Sequence, residues 1–104
     1  MRREKEKNLS DIVIALCADY ERRNSVIKDK SERERVISEY LYINSKLFTA
    51  AAEIAGPEQA ERYINDIGNA IGYARTEVED VSEGTYKKMK SEIKENMYRR
   101  LNFV

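Results

Sequence analysis

The sequence predicts an all-α protein, an antiparallel helical bundle of three long helices plus a fourth C-terminal helix. Three observations carry that reading. The 104 residues include only four glycines and one proline, while Glu, Lys, Arg, Ile and Ala are plentiful, a balance that favours long helices over sheet and turns. Apolar residues recur in stripes that step by threes and fours, the repeat of a helix face. Stop and start signals then fall where those stripes must fold back.

A chain of this length has room for one hydrophobic core, so residues 1–104 are read as a single helical domain. Residues 1–8 form a charged N-terminal arm, and helices follow at about 9–29, 32–55, 57–82 and 85–101. Ser31-Glu-Arg-Glu34 fits a capping box, with Ser31 and Glu34 each satisfying a backbone N–H of the other. Gly56-Pro57 joins a residue suited to a helix end with one suited to the next helix's first turn. Ser82-Glu-Gly84-Thr85 offers Gly84 as a stop and Thr85 as a new N-cap.

The second helix carries two adjacent stripes and so needs two partners. Val36, Tyr40, Ile43, Leu47, Ala50 and Ile54 match Ile27, Arg23, Tyr20, Leu16, Val13 and Leu9 of the first helix in antiparallel order. Ile37, Leu41, Asn44, Phe48, Ala51 and Ala55 match Val78, Ala74, Ile71, Ile67, Ile64 and Ala60 of the third. The last segment pairs less regularly, Lys90 with Val78, Ile93 with Ala74, Met97 with Ile71 and Leu101 with Ile67, about a fold-back at Gly84. One uninterrupted helix from about 9 to 55 is the competing arrangement, because Lys28 to Arg35 contains neither Gly nor Pro.

Composition also narrows function. Nineteen basic residues balance nineteen acidic ones, so no global field draws the chain to nucleic acid or an anionic membrane. No apolar run approaches the roughly 20 residues that span a bilayer, and the opening Met1–Asn8 leads into no cleavable signal segment. Cys17, the only cysteine, excludes an internal disulfide and fits a reducing, cytoplasmic setting. The absence of His removes the usual general base and the commonest zinc ligand. Neither a cofactor nor a metal site is expected; Glu77, Glu79, Asp80 and Glu83 read as a solvated acidic face. The chain is therefore expected to be non-enzymatic.

Several residues stand out as candidate contacts. Asn44 is the one amide inside an apolar stripe, where it fixes register or meets a ligand. Gly68 and Gly72 share a side of the third helix, where they admit a close neighbour or form a groove rimmed by Asn69 and Tyr73. Tyr42 lies off both stripes of its helix. Ile12 to Ala18 is apolar all round, so Ile14, Cys17 and Ala18 face a second partner, either the fourth helix or another copy.

The function these features favour is binding: a self-associating adaptor, inhibitor or assembly subunit for a protein partner, forming a homo-oligomer. The alternative is a DNA-binding regulator using the basic helix 85–100, whose start loosely has the look of a recognition helix. Duplex DNA is disfavoured because Lys87, Lys88, Lys90, Lys94, Arg99 and Arg100 spread around the helix beside an acidic neighbour.

Overall fold

The computed structural model describes the backbone of residues 2–101 and the side chains of residues 10–101. Among these, the helices are α1 (Arg2–Ala18), α2 (Tyr20–Asp29), α3 (Glu34–Ala55), α4 (Pro57–Gly68) and α5 (Glu83–Arg100), with a 3-10 turn at Tyr73–Arg75. The class is all-α, and α3 is its axis, lying against α2, α4 and α5.

Helix α3 earns that position through its apolar spacing: Leu47, Ala50 and Ala51 are fully buried, and small residues at 50 and 51 let neighbouring helices approach closely. It begins where the chain reverses after α2. Lys30 adopts a left-handed conformation (φ 50°), and the Ser31 N–H closes on the Val26 carbonyl at 3.3 Å. Two helices with a turn between them therefore replace the uninterrupted alternative. The capping box does not form: Ser31 is engaged in ending α2, and α3 starts from an extended Arg33 without a side-chain cap.

The first predicted helix is in fact two. The chain breaks at Asp19, which takes the Arg22 guanidinium at 3.1 Å. Only α2 follows α3, in the expected antiparallel order, with Arg22 reaching Tyr40 at 3.4 Å. Beyond the break α1 leans on α4 and α5. Helical backbone also extends to Arg2, so residues 2–8 are not a separate arm; the Leu9 side chain lies outside the described residues.

Gly56-Pro57 turns the chain as the sequence predicts, with Gly56 at φ 88° and Pro57 opening α4. Ala60, Tyr63, Ile64 and Ile67 of α4 are buried against the core. The expected helix over 57–82 stops at Gly68, however. Ala70 turns left-handed (φ 53°), and the Ile71 N–H returns to the Asp66 carbonyl at 2.9 Å, closing the helix end. Residues 69–82 then run as a strap, and the Ile71, Ala74, Val78 stripe is a coincidence of spacing.

The buried Asp66 carboxylate supplies the reason. It accepts hydrogen bonds from the hydroxyls of Thr76 and Tyr86. On a continuous helix Thr76 would sit about 15 Å further along the axis. Bending the chain satisfies a carboxylate that would otherwise be buried unpaired.

Ser82, not Thr85, caps α5: its Oγ accepts the Thr85 N–H at 3.3 Å, which places Gly84 and Thr85 inside the first turn. Ile93 and Met97 are fully buried and Met89 and Leu101 half-buried, so the apolar stripe of this helix is as expected, with Tyr86 added. Its partners differ. Tyr63 donates to Met89 Sδ at 3.5 Å, and Tyr86 meets Asp66, an antiparallel crossing of α4 by the start of α5. Further along, Asn96 donates to the Ala50 carbonyl at 3.0 Å and Arg100 pairs with Glu53 on α3. The molecule measures 42 × 37 × 21 Å.

Candidate interaction surface

Because α4 has 12 residues and α3 has 22, α4 covers about 18 Å of a helix about 33 Å long. The first half of α3 extends past it, flanked by α2. The stripe expected to meet the third helix is consequently bare there. Leu41 is 52% exposed and Ile37 and Phe48 are half-buried. Leu41 itself, with Tyr20 and Asn24 of α2 and Asn44, Ser45, Phe48 and Thr49 of α3, lines an open hollow of about 270 Å³.

The root of this α2–α3 arm is held by polar groups. Arg23 is 3% exposed, and among the described residues no carboxylate is in direct contact with it. Its Nε donates to Asn44 Oδ1 at 2.6 Å, and its guanidinium also donates to the Leu16 carbonyl that the break at Asp19 leaves accessible. Burial lowers the Arg23 pKa from its usual range, opposed in part by the nearby Asp19 carboxylate. Asn44 in turn donates to the Tyr20 carbonyl at 3.0 Å and to Asn24 Oδ1 at 2.8 Å. Asn44 thus faces α2 rather than Ile71, and its hydrogen bonds fix how α2 sits on α3.

Tyr42, on another side of α3, is 51% exposed, and Lys46 Nζ stands 5.4 Å from its ring centroid. The glycine pair is not a groove. A Cβ on Gly68 would meet the backbone of Cys17 and Ala18 at 2.5–2.7 Å, so that glycine seats α1 on α4, while Gly72 lies exposed in the extended strap. Asn69 donates to the Asn65 carbonyl at 3.0 Å. Tyr73 donates to the Val81 carbonyl at 2.9 Å and tilts against Tyr86, ring centroids 5.7 Å apart.

Of the residues assigned to self-association, Cys17 is buried with its Sγ 3.7 Å from Met97 Sδ. Burial pushes its thiol up to about 12, which leaves no thiolate for chemistry near neutral pH. Ile14 packs half-buried against the same core, and the Ala18 backbone lies on Gly68. Its own chain covers Cys17 and part of Ile14, while Ala18 stays exposed beside an open hollow of about 220 Å³.

The residue that sequence reasoning missed is Asp66. Its signal was present: a carboxylate on the apolar side of α4, among Tyr63, Ile64 and Ile67. The Tyr86 hydroxyl donates to Asp66 Oδ2 at 2.6 Å, with the Ile71 carbonyl 3.1 Å away, and Lys90 Nζ donates to that carbonyl at 2.6 Å. Desolvation, with help from Asp66, raises the Tyr86 phenol to about 12. Desolvation lowers Lys90. The donors are committed to holding the strap. Among the described residues no group of three or more His, Cys, Asp or Glu is placed to hold a metal ion, and no helix is long and apolar enough to cross a membrane.

Comparison with known proteins adds no relative: no family model matches the chain, and neither does any curated protein or solved structure.

Proposed function

We propose that this protein is a small cytoplasmic, non-enzymatic binding module that presents the α2–α3 arm to a protein partner. The observation that carries this reading is the exposure of Leu41, which stands 52% open to solvent on a stripe of helical spacing. A large apolar side chain standing beside a ready-made hollow is the kind of anchor through which a few residues supply most of a binding energy. The polar clamp of Arg23 and Asn44 stiffens the arm, so binding there orders little that is not ordered already.

The alternative, a DNA-binding regulator using α5, is less well supported. Lys87 pairs with Glu83 at 3.4 Å, Arg99 with Glu95 at 3.0 Å, and Arg100 with Glu53, while Lys90 holds the Ile71 carbonyl. Cations so engaged offer fewer charges to phosphate.

Photo-crosslinking tests the proposal. A photoreactive residue at position 41, in protein expressed in its native host, is expected to trap one identified protein in near-stoichiometric yield, and the same residue at exposed position 12 of α1 is not. Equal, diffuse labelling from both positions would sink the binding-module reading.

A further inference from the structure

We infer that the partner on this face is a second copy of the chain, joined about a two-fold axis that sets Leu41 of each copy into the other copy's hollow. The inference rests on the reading of the arm as the binding face and names its occupant. A knob and a hollow share one surface: Leu41, 52% exposed, forms part of the wall of an open hollow of about 270 Å³ that has room for one aliphatic side chain. A two-fold axis requires that if a residue of one copy meets a second residue of the partner, the reverse contact also forms. A surface holding both halves of the fit meets that requirement with its own copy.

The order of side chains along α3 agrees. Ser38, Leu41, Ser45, Phe48 and Ala52 alternate steps of three and four, the spacing of a helix–helix seam. Large and small residues alternate along it. Laid antiparallel with Leu41 over the partner copy's Ser45, which lines the hollow, the seam also puts Phe48 over the partner copy's Ser38. Each bulky side chain thus opposes a small one, in both directions.

Charge points to the same occupant. Between Val36 and Ala52 this side of α3 carries no ionisable residue; Glu39 and Lys46 lie on the far side of the helix. An uncharged strip is matched by another uncharged strip, whereas a charged partner would leave its ions desolvated and unpaired. The zero formal net charge of the chain sets up no long-range repulsion between copies. The strip is one helix wide over about 26 Å and two helices wide only beside the 10-residue α2, about 15 Å, which gives roughly 400 Å² per copy and about 800 Å² in all, the size of a weak, transient contact.

Sedimentation velocity of the purified full chain at high micromolar concentration tests this directly. The wild type is expected to sediment as a reversible dimer, and Leu41→Glu, at a position half open to solvent, to weaken it about tenfold or more with helicity intact. Ser45→Leu discriminates further. It adds apolar surface but fills the hole, so it is expected to weaken the dimer, and Leu41→Ser combined with Ser45→Leu, which exchanges knob and hole, to restore it. A wild type that stays monomeric, or a Ser45→Leu variant that associates more tightly, overturns the inference. A host protein crosslinked at position 41 alongside a monomeric wild type would leave the binding-module reading standing; the absence of both would end both.

Discussion

The peptide nitrogen of Ala18 lies 2.5 Å from the point where a Cβ on Gly68 would stand. Backbone, not a flexible side chain, occupies that space, so α1 and α4 touch at a distance only glycine permits. Gly68→Ala is expected to destabilise the fold by about 1–3 kcal/mol, overpacking outweighing the gain in helix propensity. Gly84, in the first turn of α5, has nothing within 4 Å, and Gly84→Ala should stabilise by about 0.5–1 kcal/mol. Urea unfolding of the two variants checks the opposite signs.

Ala70 ends α4 in a left-handed conformation that glycine adopts without cost. Ala70→Gly is expected to raise stability by about 1 kcal/mol. The same exchange at Ala74, in the exposed 3-10 turn and without a positive φ, should not. Thermal melts of the pair separate the two.

These positions also show how far the sequence could be read. Gly56-Pro57 and the stripes of α3 were legible because turn chemistry and periodicity agreed at one place. The end of α4 was not: the αL position went to Ala70 between two glycines, and Ile71, Ala74 and Val78 happened to extend the helical period. What decided the matter was the need of Asp66 for donors, a long-range requirement that no local pattern records. Asn44 stood out in its stripe, but its direction depended on the break at Asp19, which has no Gly or Pro to announce it. Tyr42, off both stripes, is exposed. The bare stripe at Leu41 was hidden because it follows from the lost half of the third helix.

Arg23 and Asn44 act as one unit. Arg23→Ala leaves the Asn44 side-chain oxygen and the Leu16 carbonyl without a donor and is expected to cost about 2–4 kcal/mol. Arg23→Met, which fills the space without a charge, should cost less. Combined with Asn44→Leu it should cost less than the two single changes added together, by about 1 kcal/mol or more. Strict additivity would show that the contact does not hold the arm.

High pH should unfold the protein through its buried weak acids. Cys17 rises from 9.0 to about 12, and Tyr20 and Tyr86 from 10.0 to about 12, each chiefly by desolvation. Groups raised in the fold contribute their full stability below the unfolded pKa and lose it as pH climbs towards the folded one. Stability is therefore expected to fall from about pH 9 towards 12, by up to about 1.4 kcal/mol per pH unit for Cys17 alone. Lys90, lowered by burial, acts with the opposite sign over its own range. Cys17→Ala should delay the onset, and in the native protein near neutral pH Cys17 should resist thiol reagents until denaturant is added.

The strap should open when its latch is removed. Asp66→Ala deprives Tyr86 and Thr76 of their acceptor, and trypsin is then expected to cut after exposed Arg75 many times faster than in the wild type. Unchanged cleavage would mean that Lys90 and Tyr73 hold residues 69–82 without Asp66.

At 21 Å in its shortest dimension the molecule is about two helix diameters deep. Such a slab is thin, and each of its helices keeps exposed residues. Whatever settles on one broad face therefore bears on the packing of the other. Docking at Leu41 should register less as protection of the arm than as a rise in the melting temperature of the whole chain.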